Sequence, residues 1–179
     1  MAGVDLSIWI PIAGTWVLVI GTLAFAYWQL RQNQRLHSTS TLLDLRERYF
    51  SHRLRIARKS LSTWLLHPEG EEPDTWEVAL FFELLGSLTR TGVLERRLVR
   101  NAFGTWITGY YTLITQPENR FERWRAESND PLIFADFEWL AKQVIEYERR
   151  LAPAPDFDKS VLEEARYVLE GESRLNVAT

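Results

Sequence analysis

An all-helical protein carrying one N-terminal transmembrane helix and a cytoplasmic helical bundle is what three features of the sequence predict. A charge-free apolar run extends over the 25 residues from Leu6 to Leu30. Apolar residues recur at a 3.6-residue period through the remainder, and no alternating strand run or hairpin signal interrupts them. The composition of the 179 residues agrees: 46% hydrophobic, 25% charged and 13% aromatic side chains exclude a disordered or fibrous chain. A net charge of -3 is too small for a dedicated polyanion or polycation binder, and the absence of cysteine excludes disulfides, thiolate metal sites and a cysteine nucleophile.

The run Leu6 to Leu30, helical at ~1.5 Å per residue, exceeds the ~30 Å hydrocarbon layer. A signal peptide needs a basic n-region and a short apolar core, whereas here Asp5 precedes a long run that continues into Trp28 and Arg31, so the segment reads as a retained anchor. Trp9 at one end and Tyr27 and Trp28 at the other match interfacial aromatic belts, with Arg31 and Arg35 as flanking anchors. Gly14 and Gly21, with Thr15 and Thr22 beside them, form a small-residue strip against which another membrane helix can pack, although such residues are common in spans. Arginines follow the span and none precedes it, which places the N-terminus outside and the rest in the cytoplasm of a bacterial inner membrane.

The domain division read from the sequence is an anchor over 1–37, a bundle over 38–151, and a linker with a C-terminal helix and tail over 152–179. Thr41 to Leu66 forms a first helix, with Leu43, Phe50, Leu54, Ala57, Leu61 and Trp64 on one side and Arg48, His52, Arg55 and Lys59 as a basic stripe on the other. The Ser38 to Thr41 cluster before it is either a cap or a polar patch within one long stalk. Pro68, Gly70 and Pro73 end this helix, and Asp74 with Glu77 starts a helix over Thr75 to Thr91, closed by Gly92. Leu94 to Gln116 is the next, with Gly104 and Gly109 pointing to close backbone packing. A short helix or turn spans Pro117 to Glu127, and Asp130-Pro131 opens a helix to about Leu151. Ser160 with Glu163 caps a last helix that Gly171 ends after Glu170.

Charge is unevenly placed. Residues 31–67 hold eight basic and two acidic groups, and residues 68–179 thirteen basic and twenty-one acidic ones. The basic neck fits anionic lipid, an acidic protein surface or an ordinary solvated face.

Three blocks, FFELLGSLTRTGVL (Phe81 to Leu94), FGTWITGYYTLI (Phe103 to Ile114) and DPLIFADFEWLA (Asp130 to Ala141), follow an LLDLRERYFSHRLRIAR stretch in that order. Over Leu42 to Glu148 the chain resembles an uncharacterised family of small bacterial single-span, membrane-anchored helical proteins. The resemblance implies fold and anchoring; it carries no activity and no catalytic residues.

The chemistry-bearing residues form no recognised catalytic pattern. His37, His52 and His67 stand fifteen apart, without metal-ligand spacing, and no phosphate-cradling glycine loop or nucleophile elbow occurs. Glu83 and Glu138 lie in apolar surroundings; they read as an acid–base pair, as metal ligands or, more commonly, as structural partners of Arg90, Arg97, Tyr110 or Tyr111. Tyr49, Phe50 and Trp64 fall on the apolar side of their helix and not among the charges, which argues against nucleic acid. Trp76 and Trp124, near helix starts and turns, read as exposed partner contacts. The expectation is therefore a non-catalytic accessory or scaffold subunit of a larger membrane complex, with the lipid bilayer and other membrane subunits as partners. It has no cofactor, no metal, no nucleic acid and no evident small-molecule substrate. The alternatives are a membrane-tethered regulator that binds a signalling protein or anionic lipid, and a helical enzyme using Glu83 and Glu138.

Overall fold

A computed structural model describes residues 22, 25, 26, 28, 29, 37–69, 72–73, 76–116 and 118–175. The chain divides into two compact units, residues 1–38 and 39–179. Helices are the only regular elements among the described residues: α1 over 37–49, α2 His52–Leu66, α3 Trp76–Arg90, α4 Arg96–Thr115, α5 Arg120–Ser128, α6 Ala135–Leu151 and α7 Phe157–Ser173. The anchor run falls almost wholly outside the described residues, and no helix among those described is long and apolar enough to cross a membrane.

The single helix expected over Thr41 to Leu66 is two. Ser51 takes an extended conformation and its hydroxyl accepts the Leu54 N–H at 3.4 Å, as a serine cap does at a new helix start. The break resets the phase of the buried face. Leu45 and Tyr49 point inward from α1, and Leu54, Arg58, Leu61 and Leu65 from α2, while Leu43 and Phe50, expected on the inner side, are exposed. The Ser38 to Thr41 cluster lies inside α1, so the interruption comes about ten residues after it.

The core has two aromatic centres. In the first, Tyr49 meets Phe81 at 5.2 Å and Phe103 at 5.5 Å between ring centroids, and Phe82 stacks on Phe137 at 5.0 Å. In the second, Phe134 packs on Trp76 at 5.4 Å and on Trp124 at 5.5 Å, with Phe121 at 5.7 Å. Such pairs contribute about 0.5–1.5 kcal/mol each beyond their buried area.

Helix α6 begins at Ala135, four residues after Pro131, the expected first helical position. Asp130 accepts the Leu132 N–H at 2.9 Å within a turn, and Phe134 then adopts φ 59° before the helix opens. That conformation is strained for a non-glycine residue, and burial of the ring in the second aromatic centre holds it. Among the described glycines the tightest is Gly86, where a Cβ would collide with the Asp136 carbonyl oxygen. The glycines singled out by sequence are less tight: the nearest atoms to a Cβ would be 3.3 Å away at Gly109 and 3.4 Å at Gly104.

Helix α7 is longer than expected and passes through Gly171 to Ser173. It packs along α4 and α2, burying Val161, Ala165 and Leu169.

Candidate functional site

The most unusual cluster centres on Arg58, in register with the apolar residues of α2 and only 1% exposed. Its Nη1 donates to both carboxylate oxygens of Glu172 on α7, at 2.9 and 2.8 Å. Trp106 on α4 donates its indole N–H to the same carboxylate at 2.8 Å. The guanidinium carbon lies 4.1 Å from the centre of the Tyr49 ring, a cation–π contact in a desolvated setting. Below it, the Tyr110 and Ser62 hydroxyls are 2.9 Å apart. Among the described residues, Tyr49 Oη and Arg58 Nε are buried without a hydrogen-bond partner.

Burial pushes the Glu172 carboxyl above its ordinary range; Arg58 and the Trp106 N–H offset part of that effect. Burial also raises the Tyr49 and Tyr110 hydroxyls, which stay protonated. Removing one partner of such a pair costs about 3–5 kcal/mol, because the other charge is stranded. The cluster fastens α2, α4 and α7 together and leaves no nucleophile open to solvent.

Glu83 and Glu138 are not bonded to the partners expected of them. Glu83 accepts the Phe137 N–H at 2.8 Å, a carboxylate on the first turn of α6, where the helix dipole favours it. Burial raises its pKa against the pull of the Phe137 and Asp136 amides. Glu138 receives Arg125 at 2.8 Å and Lys142 at 2.7 Å. Burial pushes Glu138 up, and the Lys142 and Arg125 bonds together hold it below the ordinary carboxylate value. Of the four expected partners, Arg90 pairs with Asp136 at 2.8 Å, Arg97 lies 3.6 Å from Glu95, and Tyr110 meets Ser62. Tyr111 packs on Phe121 and Phe137.

Trp76 and Trp124 are not exposed anchors. Trp124 is 5% exposed and Trp76 half-buried; their rings stand 5.7 Å apart, and the Trp124 indole donates to Glu72 at 2.8 Å. They reach the interior because the turn before α6 inserts Phe134 between α3 and α5, a conformation that no periodicity signals. The basic stripe is divided between two helices: Arg48 on α1 and His52 at the start of α2 are exposed, and Arg55 and Lys59 are half-buried. Thr22 and Trp28 are exposed, with Trp28 stacked on Phe25 at 6.0 Å between centroids. Trp9, Gly14, Thr15, Gly21, Tyr27, Arg31 and Arg35 lie outside the described residues. Among the described residues, no group of three or more histidine or carboxylate side chains is placed to hold a metal.

Sequence reasoning missed Arg58 and Glu172. The available signal was an arginine at the spacing of Leu54, Leu61 and Leu65, on the face that must be buried.

A second feature is a groove of about 380 Å³ between α4 and α6, bordered by Arg96, Arg97, Arg100, Arg150 and Glu146, in which Leu140 and Val144 are almost fully buried. Arg100 stacks on Tyr147 at 3.7 Å and Arg96 on Trp139 at 5.1 Å.

Together these features define a helical bundle fastened by a buried arginine–glutamate pair. Residues 16–144 match the family described as a domain of unknown function (DUF4760), and the chain belongs to that family. No curated protein and no solved structure matches the chain.

Proposed function

We propose that this chain is a non-catalytic, single-span subunit of a bacterial inner-membrane complex. In this reading residues 6–30 cross the bilayer with the N-terminus outside, and the bundle braces a partner from the cytoplasm. The observation that carries the reading is the uncharged run Leu6 to Leu30, bounded by Asp5 and Arg31. The bundle supports it, because its inward carboxylates Glu83, Glu138 and Glu172 are engaged in holding helices together. A membrane-tethered regulator is the second reading, favoured by the arginine-bordered groove.

Extraction of native membranes with alkaline carbonate tests the anchor. The full chain is expected in the pellet, and protease added to intact spheroplasts is expected to spare the bundle. Release into the supernatant, or digestion from outside, would overturn the anchor or its orientation respectively.

A further inference from the structure

We propose that the groove between α2 and α4 is a receptor for an amphipathic helix bearing one carboxylate, and that α7 occupies it as an exchangeable plug which a partner's helix of the same pattern displaces. The inference rests on the partner-bracing reading above and names the partner's chemistry. The pattern is set by α7 itself. Val161, Ala165 and Leu169 enter the groove at four-residue spacing, and Glu172 follows three residues later onto Arg58 and Trp106. Gly109 leaves room for this approach: a Cβ there would stand 3.3 Å from the Leu169 side chain and 3.8 Å from the Ala165 backbone. A well-packed apolar pair in place of Arg58 and Glu172 would hold a helix about as firmly, so the charged pair selects which helix enters and in which register.

Helix α7 is lightly anchored. Three of its 17 residues are buried apolar side chains, none of them aromatic, against six of 20 in α4, where Phe103 and Tyr110 are among them. Elements with few buried apolar contacts open first. The link from α6, residues 152–156, is exposed throughout, and Ala152 and Ala154 each precede a proline, which favours extended backbone over the turn that returns α7 to the bundle. Across this link Arg149 pairs with Asp158 at 2.8 Å, where Asp158 is 83% exposed, and lies over the Phe157 ring at 5.2 Å. Exposed contacts of this kind contribute little. Arg58, Trp106, Gly109 and Tyr110 fall within the family match over 16–144, and α7 lies beyond it. A partner helix without a carboxylate at the place of Glu172 would bury Arg58 and the Trp106 N–H unpaired, which rejects it.

Fluorescence anisotropy of a labelled peptide with the sequence of residues 156–175, added to the full chain in neutral detergent micelles, tests the exchange. Saturable binding is expected, and it tightens by about tenfold or more in the E172Q chain, whose own α7 has lost its hold on Arg58. A peptide carrying E172Q keeps the same apolar face and is expected to bind on the order of a hundredfold more weakly. The R58M chain is expected to bind the two peptides within about twofold of each other. Absence of binding to the wild-type and E172Q chains, equal binding of the two peptides by the E172Q chain, or discrimination retained in R58M would each overturn the receptor. Hydrogen exchange of the wild-type chain needs no variant: the α7 amides are expected to exchange at least about tenfold faster than those of α4. Equal protection of the two helices would overturn the displacement. A failed exchange leaves co-migration with a membrane assembly untouched, and solitary migration leaves peptide binding untouched, so the groove and the subunit reading can fail separately.

Discussion

At the scale of single residues, Arg58 shows how far composition and periodicity reach. Its position among Leu54, Leu61 and Leu65 places it on the inward face of α2, and a guanidinium there requires a carboxylate. The carboxylate comes from Glu172, 114 residues away in sequence, a separation that no local pattern links. Replacing either member alone, as R58M or E172L, is expected to lower stability by about 3–5 kcal/mol. The double variant is expected to be less destabilised than either single one, because no charge is then left buried without its counterpart. Denaturant titration of the four proteins measures the coupling; additive losses would show that the pair does not act as a unit. Trp76 and Trp124 are the converse case. Their positions near helix starts and turns point to exposure, and the ring of Phe134, held at φ 59°, draws both inward.

At the scale of elements, the number and type of helices followed from apolar spacing, and the boundaries followed less well. Ser51 divides the first amphipathic stretch, where two short caps compete with one long helix and the serine wins by accepting the Leu54 amide. Asp130 and Pro131 form a turn where a helix start was expected, and α7 runs through Gly171 because Glu172 is tied to Arg58 and Trp106. The α3–α6 pair shows how one glycine sets a helix crossing. Gly86 meets the Asp136 carbonyl, and one turn to either side Glu83 caps Phe137 and Arg90 pairs with Asp136. Alanine at 86 would gain up to ~1 kcal/mol of helix propensity but drive a methyl into backbone, which costs about 1–3 kcal/mol or more and separates these bonds. G86A is therefore expected to lower the melting midpoint by roughly 5 °C or more in a circular dichroism scan. G171A, with nothing within 4 Å of its Cβ, is expected to leave it unchanged or raise it. An unchanged midpoint for G86A would contradict the crossing described.

At the scale of the whole molecule, the all-helical class was legible because no segment carries a two-residue alternation, and family membership over 16–144 agrees with the ordered blocks between Phe81 and Ala141. The place of α7 was not legible, because amphipathicity reports that a helix has an apolar face and not which groove receives it. The groove bordered by Arg96, Arg97 and Arg100 was hidden for the same reason: those arginines gather with Arg150 only once α4 lies against α6. What the molecule is proposed to do follows from joining an apolar anchor to a bundle whose buried polar groups hold helices together. Mild detergent extraction of native membranes, size separation and mass spectrometry of the co-migrating chains measures this most directly. The account predicts stoichiometric migration with one large membrane assembly; migration alone, as a small particle, would contradict it.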